Sequence, residues 1–284
     1  MARNTHPIPR RRLAIIALVA MVGALIGAPA SASATDPTTP PAVDGVIISA
    51  AESAMVSALN ADRAAVGLVA VRVDPRLMAI ARARSDDMVA NNYFGHTQAD
   101  GRNVFDILTA QHIAWYNAGE IIAWNNYPMD STVSAANRQW VGSPGHYAII
   151  ISATFNYVGV GLAIDPATGK KLWTAVYIKG PDRTGAVARA SAPTMAAGPT
   201  SATRRARLAW SGSDPRLQVL TSGLSSWTVQ RQIDGGTWGT VWSATTLKAA
   251  TFTLALGHLY IFRISARDHA GNRGAWVTKV VDLR

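Results

Sequence analysis

Soon after residue 50 apolar residues recur with helical spacing: Ala51, Met55, Ala58 and Leu59 stand at offsets of 0, 4, 7 and 8, share one face, and run toward Gly67 as a stop. The next helix is punctuated at its start. Asp74 caps free backbone amides, Pro75 suits the first helical position, and Leu77, Ile80, Ala81 and Met88 form a buried stripe before Asn91-Asn92 ends it. The same reading predicts a helix from Asp130 to Val141, with Asp130 as cap and Val133, Ala136 and Trp140 inward, then a short one opened by Ser143-Pro144 and running to Ile151. Around these helices the pattern changes to short apolar runs, Glu120 to Trp124, Tyr157 to Ile164 and Leu172 to Ile178, which read as strands. The last two are joined by Asp165-Pro166-Ala167-Thr168-Gly169, a loop of hairpin length. Helices segregated around a small, mainly antiparallel sheet predict an α+β, three-layer α-β-α sandwich over residues 46–180.

Residues 181–204 turn to Ala, Ser, Thr, Pro and Gly with little periodicity and read as a linker. Alternation of period two then sets in with Leu208 and Trp210, Trp227, Val229 and Ile233, and Tyr260, Phe262, Ile264 and Ala266. Turns at Asp234-Gly235 and from Asp268 to Gly271 complete the pattern of an all-β sandwich over residues 205–284. At the other end, residues 1–34 read as a signal peptide: Arg3 and Arg10 to Arg12, an apolar run from Leu13 to Ile26, then Ala32-Ser33-Ala34. That run is shorter than the roughly 20 residues that span a hydrocarbon core. Residues 35–45, with Pro37, Pro40 and Pro41, read as a flexible lead-in. The expected location is secreted, extracellular or associated with the cell envelope, by either the general or the twin-arginine export route.

Export implies an oxidising setting, yet the chain has no cysteine, so packing of its 49% hydrophobic residues must hold it together. Charge separates the two halves. Residues 46–180 carry ten bases and ten acids, whereas residues 181–284 carry thirteen bases against five acids, a surplus of +8. Such a surplus suits anionic partners of the C-terminal module, namely cell-envelope polymers or lipid headgroups. Nucleic acid is not an expected partner, since no nucleic-acid motif accompanies the basic residues.

The chemistry rests on histidine and carboxylate. His112, His258 and His269 lack any accompanying motif and read as surface or turn residues, while His96 and His146 each follow a glycine where a loop meets a helix. Glu120 opens an otherwise apolar strand, where a carboxylate has to be paired. If they converge, His96, His146 and Glu120 form a divalent-metal site, zinc being favoured because nitrogen donors dominate. Glu120 would either ligate directly or orient a histidine. Glu120 and His146 are also the candidate catalytic residues, as activators of water. Spacing alone matches no local metal motif and favours two hydrogen-bonded structural histidines. Ser143 reads as a helix cap rather than a nucleophile, and Asn60 and Arg63 as structural contacts.

Five ordered segments between Ala54 and Lys179 resemble the CAP superfamily, which joins cysteine-rich secretory, antigen 5 and pathogenesis-related proteins with many bacterial members. They are Leu59-Asn60-Ala61-Asp62-Arg63, Phe94-Gly95-His96-Thr97 with Asp100-Gly101-Arg102, Gly119-Glu120-Ile121-Ile122-Ala123, Trp140-Val141-Gly142-Ser143-Pro144-Gly145-His146, and Val158-Gly159-Val160-Gly161-Leu162-Ala163. The resemblance implies an α-β-α sandwich whose cleft holds two histidines and acidic residues, here His96, His146 and Glu120, and in some relatives a divalent metal. The sequence also departs from the pattern. A second cleft glutamate of eukaryotic relatives would fall near Ser143, Ile121 stands where asparagine is common, and Tyr147 and Ile149 replace arginine and asparagine. Residues 205–284 resemble a fibronectin type III module, on Tyr260-Ile261-Phe262-Arg263-Ile264-Ser265-Ala266-Arg267-Asp268 with Gly271-Asn272, and Tyr260 is the candidate tyrosine corner. Trp210 and Trp227 are strand-phased and read as core; exposed tryptophans would offer faces to sugar rings. The expected function is a secreted protein whose two-histidine cleft binds a divalent metal or small ligand, with a basic sandwich for envelope attachment. A secreted metal-assisted hydrolase, acting on peptides or cell wall, and an extracellular lipid-binding protein are the alternatives.

Overall fold

The computed structural model describes residues 49–284; the expected signal peptide and lead-in lie outside the described residues. Ser49 opens α1 (Ala50–Ala65) with a capping box, its hydroxyl accepting the Glu52 N–H while the Glu52 carboxylate accepts the Ser49 N–H. Met55, Val56 and Leu59 form its buried face. Helix α2 (Pro75–Ala90) starts as the sequence predicts, with the Asp74 side chain accepting the Arg76 N–H and proline in the first turn. Helix α3 (Val104–Ala110) was not anticipated; Asn103 and Asp106 close a capping box around its start. The helix expected from Asp130 is α4 (Thr132–Val141), with Ser131 at the cap position, no side-chain cap bond, and Asp130 accepting the Ser131 hydroxyl instead. Ser143 does precede α5 (Pro144–Ile150), yet it too closes no side-chain cap bond.

Four strands form one sheet: β1 (Arg72–Val73), β2 (Asn117–Asn125), β3 (Tyr157–Ile164) and β4 (Lys171–Lys179), in the order β1-β3-β4-β2. Only β1 runs parallel to its neighbour, and β2 forms an edge. On one face Met55 and Leu59 of α1, Trp140 of α4 and Ile150 of α5 share a cluster with Val158, Trp173 and Tyr177. On the other face Leu77 and Ile80 of α2 and Leu108 of α3 pack with Val176 and Ile178. Helical cover on both sides explains why β3 and β4 read as unbroken apolar runs. The contact with α2 is close enough to demand glycine: a Cβ on Gly159 or Gly161 would collide with the helix backbone at Leu77 and at Ala81.

The C-terminal region holds β5 (Val187–Ala190), β6 (Thr194–Ala197), β7 (Thr203–Ser213), β8 (Leu224–Ile233), β9 (Gly239–Thr245), β10 (Ala249–Ala255), β11 (Leu259–Asp268) and β12 (Val277–Asp282). One sheet has the order β10-β7-β5, with β6 also on β7, and the other β12-β11-β8-β9. Leu208, Trp210 and Leu254 of the first sheet meet Trp227, Phe262 and Ile264 of the second in one core, so the two sheets form a sandwich. Tyr260, near the start of β11, accepts the Ala255 N–H at its hydroxyl, 3.2 Å away.

Two findings correct the expected organisation. Residues 181–204 are not a linker, because β5 and β6 lie within them and pair antiparallel with β7. Nor is the sandwich separated from the first module. The loop between β7 and β8 buries Leu217 among Leu77, Ile80 and Ile178, Gln218 Oε1 accepts the Val69 N–H at 2.7 Å, and Asn156 Nδ2 donates to the Val219 carbonyl at 3.2 Å. Among the described residues no helix is long and apolar enough to cross a membrane.

Candidate functional site

Glu120 lies on the edge strand β2, and its carboxylate is buried. Arg84, on the same side of α2 as Leu77, Ile80 and Met88, is wholly buried, and its Nε donates to Glu120 Oε1 at 2.8 Å. The other two guanidinium nitrogens also donate, Nη1 to the Tyr93 hydroxyl at 2.8 Å and Nη2 to the Gly95 carbonyl at 2.9 Å. Each nitrogen of the buried guanidinium thereby has an acceptor, and the loop carrying Gly95 and His96 is tied to α2. His96 closes the chain of contacts, with Nδ1 2.7 Å from Glu120 Oε2. A carboxylate only accepts, so Nδ1 carries the proton of that bond, and the lone pair of a neutral His96 ring falls on Nε2.

His146 approaches from α5, whose far end is held by another buried arginine. Arg63 Nη1 donates to the carbonyls of Ile150 and Ser152, both at 2.8 Å, and Nε donates to Val69. Asn60 exchanges two hydrogen bonds with Val71, so both α1 residues act structurally, as read from the sequence. Burial lowers the His146 pKa, and the charge of His96 lowers it further. The second cause places the two imidazoles within electrostatic reach of one another. His146 lines a groove of about 520 Å³ together with Ser143, Gln139, Phe94, Trp124 and Tyr127. The three aromatic rings are substantially exposed, and Lys170 Nζ lies 4.2 Å over Trp124.

The three expected metal ligands do not gather as one set. Both oxygens of Glu120 are engaged, Oε1 by Arg84 Nε and Oε2 by His96 and, at 3.4 Å, by Arg84 Nη2, an arrangement that can orient the His96 ring. Two imidazole nitrogens remain as donors, and their chemistry suits zinc or a similar ion with positions left for water or a ligand. Among the described residues, the trio whose ligand atoms lie within 4.8 Å of one another is Asp182, Asp214 and Asp268. Its members are tied down by backbone N–H groups at Thr184, Ser222, Gly223 and Asn272. Among the other histidines, His258 Nδ1 sits 2.5 Å from Asp234 on the surface of the sandwich.

Arg84 was not anticipated. Its position at the spacing of Leu77, Ile80, Ala81 and Met88 is a signal in itself, because a charge in an apolar stripe requires a buried counter-charge. The aromatic rim of the groove was also missed, since Phe94, Trp124 and Tyr127 come from three separate connections and strand ends.

Residues 56–177 match the model of the CAP family, described as the cysteine-rich secretory protein family, so the first module is a CAP domain. Two Bacillus subtilis (strain 168) proteins are each similar over a little under half of the chain. YkwD is 33% identical over 131 residues, which are 46% of this chain and 48% of that protein. YlbC, described as a membrane protein, is 28% identical over 133 residues, 47% of this chain and 36% of that one. The chain thus spans less than half the length of either relative. Among solved structures, an extracellular protein containing an SCP domain from Bacillus anthracis str. Ames is 27% identical, with a TM-score of 0.40 over 45% of this chain and 40% of that one. An outer surface protein from Borrelia burgdorferi is 16% identical, with a TM-score of 0.42 over 48% of this chain and 96% of that one.

Proposed function

We propose that this CAP-domain protein acts outside the cell, binding a small ligand in the groove beside a divalent ion held by His96 and His146, with zinc favoured. The supporting observation is the relay from Arg84 through Glu120 to His96 Nδ1, which fixes one imidazole and leaves its Nε2 as a donor. His146, kept uncharged by burial, supplies the second donor. A bound divalent ion would act as a Lewis acid at the groove wall. Phe94, Trp124 and Tyr127 favour a ligand that offers flat apolar faces, such as a sugar ring. Zinc titration by calorimetry is expected to show binding by the wild type and none by the His96→Ala, His146→Ala double variant. Equal binding by both proteins removes the metal from the reading. Should hydrolysis occur, His146 is the residue free to take a proton, because Glu120 is held by its two partners.

The C-terminal module is read as fibronectin type III-like and as the envelope tether. Its strand order and the bond from Ala255 to the Tyr260 hydroxyl support the first part. The +8 surplus supports the second, with Arg189, Arg205 and Arg207 exposed along β5 and β7. In cell fractionation, a variant with these three arginines changed to glutamine is expected to leave the envelope at lower salt than the wild type. Identical release of both proteins refutes the tether.

A further inference from the structure

A cleft of about 810 Å³ runs between the two modules, in the size range of sites for small organic molecules. Its walls come from β1, the start of α2, the strap of residues 183–188 and the connection into β12. Much of the lining is apolar, including Val187 and Val277, but four arginines face it: Arg72, Arg76, Arg183 and Arg273.

The charges do not balance. Asp74 is the single carboxylate of the lining, and two guanidiniums share it, Arg76 Nη2 at 2.9 Å and Arg183 Nη2 at 2.8 Å. Among the described residues no acid pairs with Arg72 or Arg273. The Nε of Arg72 is buried and has no hydrogen-bond partner. A guanidinium N–H withdrawn from water without an acceptor is unfavourable, so the Arg72 charge is incompletely answered within the protein. Arg273 rests 5.6 Å over the Trp276 ring, a contact with the guanidinium face that leaves its edge donors available.

We infer that this cleft binds an amphiphile carrying one phosphate or carboxylate group, with the head on Arg72 and Arg273 and the apolar body along Val187 and Val277. Planar guanidiniums match such oxyanions in a fork geometry, and the apolar walls strengthen the attraction by excluding water. The site shares no residue with the histidine groove, so either stands without the other.

The test uses the full chain, calorimetry, and decyl phosphate below its micelle concentration, with inorganic phosphate and decanol as comparisons. Decyl phosphate is expected to bind one to one, and at least about tenfold more tightly than either comparison. Arg72→Gln with Arg273→Gln is expected to weaken it at least about tenfold. Ala275→Trp, which fills the cleft from an exposed position, should do the same with unchanged melting temperature, while the His96→Ala, His146→Ala variant should bind as wild type. Competition by phosphatidylglycerol vesicles assigns the head to a membrane lipid, and its absence to a free amphiphile; the cleft site stands in both cases. Absence of binding, equal affinity of the arginine variant, or phosphate binding as tightly as decyl phosphate overturns it.

Discussion

Arg84 has no exposed side chain, so its charge is answered entirely within the protein, by Glu120, Tyr93 and the Gly95 carbonyl. That arrangement fixes Glu120, and through it the ring of His96. The sequence made His96, His146 and Glu120 legible because each is a polar exception beside a glycine or at the mouth of an apolar strand. It did not reveal which of them would be orienting and which exposed, since that depends on a partner 36 positions away from Glu120. His146 offers a direct check. Its pKa is lowered from 6.5, so the fold favours the neutral ring: this contribution to stability is present above pH 6.5 and is lost as pH falls through the lowered value. An NMR titration is expected to place the His146 midpoint below 6.5, and His96→Ala to move it upward by removing the neighbouring charge. A midpoint that does not respond to His96→Ala would separate the two rings and end the shared-site reading.

Elements with local signals were the legible ones. Asp74-Pro75 and Ser143-Pro144 mark the starts of α2 and α5 because a proline fixes its own φ and does not need its neighbours. Strands β5 and β6 were invisible for the opposite reason: four residues each, rich in alanine, carry little apolar pattern, and pairing with β7 makes them strands. The glycines of β3 were read as part of a family segment, whereas their physical role is contact. With α2 lying directly on the strand, Gly161→Ala must push the backbone at Ala81 away and is expected to cost about 3 kcal/mol or more, at or above the usual range for overpacking. Urea denaturation measures this, and a loss below about 1 kcal/mol would mean that α2 yields easily.

At the scale of the molecule, the sequence divides the chain into two modules by pattern and charge and sets a spacer between them. The spacer dissolves because contacts across the junction involve residues distant in sequence, with Leu217 of the second module inside the first module's cluster. Leu217→Ala is expected to destabilise the protein by about 2 to 4 kcal/mol, as for other buried leucines. Thermal unfolding should pass from one transition in the wild type toward two in the variant, one for each module. A single unshifted transition would deny the loop its role.

That loop is a plug, and its socket belongs to the other half. A chain trimmed near residue 180, where composition invites the cut, keeps Leu77, Ile80 and Ile178 but opens them to water. Trimmed copies would shield that greasy hole against one another, so a fragment made for crystallisation or binding work should clump, and supplying the missing half as a separate chain should rescue it.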